Sequence, residues 1–505
     1  MPWLVWLAVT LLALTAAVVA VGGQMRVAVG RLWWVALSGA GLAWLLGLGA
    51  LPRHGGRLWQ WRPVRPLPWP HGVWRLHAVT WPWVMAVLTL TLAALVLEAL
   101  REPREPARAP TGWALLLLVG ALGAPMALAF SPLTLVAGWT LVDVAAAWAD
   151  MRCLHRAKHL QTVARVAFGR ALTWLLAATA AVIWTSSPAT ATTLWLIAIL
   201  TRWMLAGYSP GVETEATHGW RLVLAAEELL STLMAVLWLT AQPLATPSSP
   251  WALGLVALFA LWGALRWWGL RSSLRRVAAS GWALGSLALL AALQQDPHAA
   301  LAWALLAFAP AVGLALLSWR SRGAWWFAAA LLFPLTLWPF TPGAAAAALW
   351  QPPWRAWHLA AALTLLIAGM ALFRHFWAKP QRKTPLPRER RAFAFWGWGL
   401  WAAAFWAARL WPAWRPPQPW ALQWWLPGGL AVIVAGGLTW RFARSPWRLR
   451  YVGVVFGRGW LTPWFWRLYR LAAQGLNFFS LLLEGEGGVL WAWVLLIMLL
   501  ALLFR

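Results

Sequence analysis

The sequence predicts an all-α polytopic membrane protein of about 14–16 transmembrane helices. Three observations predict it. The 505-residue chain is 62% hydrophobic and only 11% charged, too apolar to hide its surface inside one soluble core. Apolar runs of roughly 20 residues, each able to cross ~30 Å of hydrocarbon, recur along the whole chain. Basic residues gather in alternate connecting segments, as topology rules require.

The first two runs, near 3–22 and 32–51, are continuous apolar stretches. The first has no basic leader and is followed by another span, so it reads as a retained helix. Residues 52–79 form a connecting loop with Arg53, Arg57, Arg62, Arg65 and Arg75 and no acid. Further runs lie near 80–99, 112–128, 132–150, 166–185, 190–207, 220–239, 250–270, 277–294, 298–318, 323–340, 354–373, 392–411, 421–440 and 487–504. No soluble domain or tandem repeat interrupts them, although inverted repeats and broken helices are compatible with such a chain. The organisation expected is a membrane domain over 1–442, an amphipathic interfacial segment over 443–486, and a C-terminal transmembrane helix over 487–505. Within the segment, Leu468, Leu471, Leu476 and Phe479 would form the apolar face.

A net charge of +28 suggests a nucleic-acid partner until its distribution is considered. Basic residues fill "REPREPAR", "RCLHRAKH", "RSSLRR", "WRSR", "FRHFWAKPQRKTPLPRERR" and "RFARSPWRLR", while several intervening loops have no Lys or Arg. The positive-inside rule puts these segments in the cytoplasm, the N-terminus outside, and the chain in the cytoplasmic (inner) membrane, with lipid and not nucleic acid as its surroundings. Two loops break the pattern: the basic 52–79, which should face outward, and 208–219, which should face inward but carries Glu213 and Glu215. The 50 tryptophans exceed what aromatic belts require, and compositional drift is the simpler account of those in mid-span. A single cysteine, Cys153, excludes an internal disulfide.

With 13 acids in the chain, each can be weighed. Glu98, Glu102, Glu105 and Glu389 balance nearby arginines, Glu213, Glu215 and Asp296 fall in loops, and Glu484 and Glu486 precede the last span. Asp150 reaches a helix end. That leaves Asp143, Glu227 and Glu228 at membrane depth, where an acid is costly unless neutral, paired or wet, and is therefore a functional candidate.

Here the chain resembles a known family. "LTLVAGWTLVDVAAAW" is similar to the fifth helix of the antiporter-like subunits of respiratory complex I, membrane-bound hydrogenases and multisubunit sodium/proton antiporters, which read Leu-Thr-Leu, three residues, Trp-Glu-Leu. "LTRWMLAGYSPGVETEATHGW", "LRSSLRRVAASGWALGSLAL" and "LTLWPFTPGAAAAALW" follow where the family has its helix-7 lysine and Pro-His-x-Trp loop, its Asp-Leu-Lys-Arg motif and its helix-12 ionisable residue. The resemblance runs collinearly over an antiporter-like core of about 80–400. It implies a subunit packed among other membrane subunits of an energy-converting complex, with redox cofactors left to its partners.

The departures bear on proton transfer, which the family carries on buried ionisable groups. The resemblance puts the helix-5 glutamate at Thr140, the helix-7 lysine at Arg202, the helix-8 lysine near Leu229 or Leu230, and the helix-12 group at Ala347. Threonine, leucine and alanine carry no charge, and an arginine in a protein does not give up its proton. Asp143 lies one turn after Thr140 on nearly the same face, so the acid has in effect moved along the helix, with Arg202 as its counter-ion. Two readings follow: a fixed pair that holds helices in register, or a rerouted path through Asp143, Glu227 and Glu228. The expected function is an antiporter-like subunit, structural or weakly proton-conducting, with no catalytic activity, cofactor or metal of its own.

Other classes of membrane protein share this composition. A polyprenyl-linked glycosyltransferase needs acids in an early external loop, and 52–79 has none. His155 and His159 are at i, i+4, but without a third ligand they read as a solvated turn and not a metal site. A stand-alone transporter stays open.

Overall fold

The computed structural model of the chain describes residues 3–50, 56–61, 72–76, 80–98, 109–129, 131–153, 157–184, 186–206, 219–240, 250–270, 273–316, 333–336, 344–350 and 355–377, with isolated positions 401, 430, 434, 437, 438, 467, 470 and 474. The helices are α1 (Trp3–Gln24), α2 (Val29–Gly49), α3 (Trp81–Glu98), α4 (Ala109–Ala127), α5 (Pro132–Cys153), α6 (Ala157–Ile183), α7 (Pro188–Ala206), α8 (Gly219–Thr240), α9 (Pro250–Gly269), α10 (Ser273–Ser280), α11 (Ser286–Leu293), α12 (Pro297–Leu316) and α13 (Ala356–Trp377). A π-helical turn, Gly281–Gly285, joins α10 to α11 into one span. Short 3-10 segments occupy Phe333–Thr336 and Ala344–Trp350.

Among the described residues, ten helical spans are long and apolar enough to cross a membrane, and two shorter apolar stretches fall in α5 and α12. The chain is an all-α, multi-pass membrane protein, and these spans account for the apolar runs from 3–22 to 298–318 and for 354–373. The runs 323–340, 392–411, 421–440 and 487–504, the interfacial segment 443–486 and the C-terminal helix 487–505 lie outside the described residues, apart from the isolated positions above and the 3-10 turn at 333–336. One element was not expected. Part of the 52–79 loop pairs as an antiparallel hairpin, β1 (Gly56–Trp61) with β2 (Gly72–Leu76), from Gly56 opposite Leu76 to Trp61 opposite Gly72. Its Val, Leu and Trp residues favour a pleated surface. A bridge from Trp74 to Ala129 ties it to the turn after α4.

Helix starts follow from local chemistry. Pro132, Pro188, Pro250 and Pro297 each open a helix, where a missing N–H costs nothing and a fixed φ helps. Before α5, the Ser131 and Thr134 side chains exchange hydrogen bonds with each other's backbone N–H groups at 3.3 and 3.1 Å. Asp296, assigned to a loop from sequence, caps α12 by accepting from His298 and Ala299 N–H at 3.1 and 2.9 Å.

Helix ends explain part of the tryptophan excess. The last four carbonyls of a helix lack intrahelical donors, and in hydrocarbon no water replaces them. Trp81 donates to Gly47 O at 3.0 Å near the end of α2, and Trp33 to Leu95 O at 3.5 Å near the end of α3. Elsewhere Trp139 donates to Ser231 O at 2.9 Å, Trp195 to Ala235 O at 3.2 Å, and Trp303 to Ala346 O at 3.0 Å. Drift in composition supplied these residues or not, but several now act as inter-helix donors. The most enclosed spans are α8 and α10–α11, each 94% buried, whereas α1 and α2 are 33% buried and face outward.

Candidate functional site: a charged cluster between four helices

Asp143 on α5, Arg170 on α6, Arg202 on α7 and Glu228 on α8 meet in the enclosed part of the molecule, with exposures of 3, 4, 3 and 8%. The Arg202 guanidinium grips Asp143 as a fork, Nη1 donating to Oδ2 at 2.6 Å and Nη2 to Oδ1 at 3.0 Å. Two parallel bonds to one carboxylate fix both distance and angle. Trp174 Nε1–H donates to the same Oδ2 at 2.7 Å. Beneath the fork, the guanidinium carbon of Arg202 lies 4.6 Å from the centre of the Trp139 ring, a cation–π contact. Arg170 bridges: its Nε is 3.6 Å from Asp143 Oδ1 and its Nη2 donates to Glu228 Oε1 at 2.5 Å. Two arginines and two carboxylates give the cluster a formal charge of zero, the condition under which charges persist at this depth.

Of the residues singled out from sequence, Asp143, Arg202 and Glu228 therefore come together, through a residue sequence reasoning passed over. Arg170 sits inside the predicted span 166–185, and inspecting intramembrane cations as closely as acids would have found it; Trp174 lies one turn further on. Glu227 does not join them. It is 1% exposed, neither carboxyl oxygen has a hydrogen-bond partner among the described residues, and it lies against Gly123 of α4, where a side chain would collide with it. Adjacent residues on a helix point about 100° apart, which separates Glu227 from Glu228.

Thr140 donates to the Val136 carbonyl of its own helix at 2.9 Å and makes no ionic contact. Leu229 and Leu230 are 2 and 0% exposed, and Ala347 is 2% exposed in the 3-10 segment held by Trp303. Asp150 lies in the last turn of α5, its side chain outside the described set, and His155 and its environment lie outside the described residues. Among the described residues no group of three or more His, Cys, Asp or Glu could hold a metal.

The end of α7 is fixed next to the cluster. Trp203, beside Arg202, is one of the last residues with an open carbonyl, and Trp282 of the π turn donates its indole N–H to it. The Trp203 ring lies in a groove that two glycines leave open: a Cβ at Gly281 would stand 2.9 Å, and one at Gly285 2.8 Å, from its ring atoms. The wide π turn presents these positions and the indole on one side. Trp282→Phe keeps an aromatic ring but removes the donor and part of the indole's volume, so it is expected to cost about 1–3 kcal/mol, read as a lower melting temperature of the purified chain.

No family model matches the chain, and no curated protein does. Solved structures do. A chain of the Mrp complex from Dietzia sp. DQ12-45-1b superposes with a TM-score of 0.64 over 99% of this chain and 62% of that one, at 14% identity. The chain shares that fold. A chain of the membrane-bound sulfane sulfur reductase, an archaeal respiratory membrane complex, gives 0.63 over 99% of both chains, and one of respiratory complex I from Thermus thermophilus with bound aureothin gives 0.55 over 85% of this chain and 98% of that one, each at 14% identity. This chain thus spans about 62% of the length of the Mrp-complex chain. At this identity the fold is shared while the chemistry must be read from the residues present. Within the shared fold, the interior of this chain carries an arginine–carboxylate cluster and apolar side chains at Leu229, Leu230 and Ala347.

Proposed function

We propose that the chain is an antiporter-like subunit of a multi-subunit, energy-converting membrane complex of the complex I, hydrogenase or Mrp kind, and that its buried charges lock helices together instead of relaying protons. The closed Asp143–Arg202–Arg170–Glu228 cluster carries this reading. A relay needs groups that gain and lose a proton in turn, and both cations here are arginines, which stay charged. Both Asp143 oxygens are already bonded to donors, so freeing the carboxylate means breaking a buried pair. The positive-inside pattern supports a cytoplasmic membrane with the N-terminus outside.

A second reading has its own support: Glu227, buried with no partner among the described residues, is the type of group that conduction uses. The test is purification of the tagged chain from its host in mild detergent, with mass spectrometry of what accompanies it, followed by proton-flux measurements on reconstituted Asp143→Asn and Glu227→Gln variants. Subunits of a redox or antiporter complex should co-purify, and flux should be the same in all three proteins. Loss of flux in an intact Asp143→Asn complex overturns the lock; loss in Glu227→Gln alone moves conduction to that residue. Recovery of the chain alone returns the stand-alone transporter and transferase readings.

A further inference from the structure

We propose that His358 is a pH-sensitive latch between α13 and the 3-10 segment Ala344–Trp350, closed while its imidazole is neutral and released when the ring takes up a second proton. α13 begins at Ala356, so Arg355 is its N-cap and His358 its third residue. From that position a side chain can reach back to the N-cap, a role usually filled by Glu or Gln. Here the Arg355 N–H donates to His358 Nδ1 at 2.8 Å. Nδ1 accepts only in the neutral ring, so Nε2 carries the proton and donates it to the Leu349 carbonyl. One imidazole thus ties the first turn of α13 to the end of the 3-10 segment. It is 3% exposed, with its ring centre 3.6 Å from that of Trp357, on which it stacks, and 6.4 Å from that of Trp350.

A proton on Nδ1 works against this arrangement in three ways. It removes the acceptor of the Arg355 N–H. It makes Nδ1 a donor that competes for the Arg355 carbonyl, 3.1 Å away, which already accepts from the His358 N–H at 2.9 Å as the helix begins. It also puts a positive charge at a helix N-terminus, where open N–H groups disfavour a cation, three residues from Arg355. Among the described residues no acid on α13 or on the elements around it offsets that charge. α9, the π turn and α12 pack on α13. Arg266 of α9 lies at the far end, where Arg374 of α13 reaches the Trp268 carbonyl, and neither the π turn nor the 3-10 segment has a titratable side chain. At the start of α12 stand His298 and Asp296, whose carboxylate is occupied in capping that helix. A buried cation without a counter-ion has to reach water, so the charged ring leaves its stack and gives up Leu349.

Histidine is the side chain whose ordinary titration falls between about pH 5 and 8. The basic segment "FRHFWAKPQRKTPLPRERR" follows α13, and the positive-inside rule then puts His358 at the outer end of its span, where the latch answers to the outer solution. Release frees the 3-10 segment from α13 and leaves it tethered to α12, because Trp303 still donates to the Ala346 carbonyl at 3.0 Å.

The test is amide hydrogen exchange of the full chain in detergent, followed over residues 344–360 at about pH 7.5 and about pH 5.5 and corrected for the intrinsic exchange rate, in the wild type and in His358→Gln. Glutamine offers an acceptor at the same cap position and does not titrate. The wild type should exchange roughly 2- to 30-fold faster at the lower pH, the range that loss of a helix cap gives, and the variant should change less than about 2-fold. Equal acceleration in both proteins, or none in the wild type, overturns the latch. Acceleration as strong in α8 as in 344–360 means that acid loosens the whole protein, and overturns it as well. Should the variant not fold, exchange of the His358 imidazole C2 proton in the wild type decides, since it reports when that ring titrates. Titration over the same pH range as the opening of 344–360 supports the latch, and opening without titration of His358 removes it.

Discussion

Replacing Arg202 with leucine should destabilise the protein by about 3–5 kcal/mol, and replacing Asp143 with leucine by a similar amount, because each leaves a buried charge without its main partner. After Arg202→Leu, Asp143 keeps the Trp174 indole at 2.7 Å and Arg170 at 3.6 Å, too little to compensate a carboxylate 3% exposed. After Asp143→Leu, Arg202 retains, among the described residues, the Trp139 face. The double variant Asp143→Leu/Arg202→Leu should be less destabilised than either single one, since an apolar pair of similar volume carries no desolvation penalty, and Arg170 still holds Glu228 at 2.5 Å. Melting temperatures and the monodisperse fraction in detergent measure the cycle. If the two losses simply add, the fork is not the unit that holds α5 to α7 and the lock has to be abandoned. Recovery of the double variant where the singles aggregate would carry the same meaning as a favourable coupling energy.

That fork was legible in the sequence for a physical reason. An aspartate in an apolar run and an arginine in another must each find a partner, and the family resemblance put their helices side by side. The cluster was only half legible. Arg170 and Glu228 extend the pair to four groups, yet which face of α6 turns inward cannot be read from "AFGRALTWLLAATAAVI", where apolar residues surround the arginine on every side. Hydrophobic periodicity, the signal that orients a helix in a soluble protein, vanishes when both lipid and protein interior are apolar. The same loss hid the hairpin at 56–61 and 72–76, whose short strands sit in a loop rich in arginine and proline, and hid the tryptophans as inter-helix donors, because composition counts indoles without showing which carbonyls they reach. The helix spans themselves were readable, since the thickness of the bilayer sets their length independently of partners. Asp296 shows the finer limit: next to Pro297 it marks a helix start, and reading it as loop charge missed the cap by one residue.

Gly263→Val should be the most disruptive single substitution outside the charged cluster. Gly263 on α9 lies where the π turn comes closest, and a Cβ there would stand 2.7 Å from the Trp282 carbonyl carbon and 2.9 Å from the Ala283 nitrogen. A flexible side chain could swing aside, but these are backbone atoms of a turn 94% buried within its span, so α9 and the π turn would have to separate. Overpacking of this kind costs typically about 1–3 kcal/mol, and more where backbone must move. The consequences extend along the chain. Trp282 stacks on Arg266 at 4.5 Å from the same turn and donates to the Trp203 carbonyl beside Arg202, so displacing it disturbs the buried Arg266 and the end of α7 together. Gly254, on the same helix with nothing within 4 Å of an added Cβ, is the control: Gly254→Val should change the melting temperature little. A Gly263→Val protein that melts with the Gly254→Val protein would mean that α9 and the π turn are not in contact. A lowered melting temperature shared by Gly263→Val and Trp282→Phe, with less than additive loss in combination, is the expected outcome, because both act on the same turn.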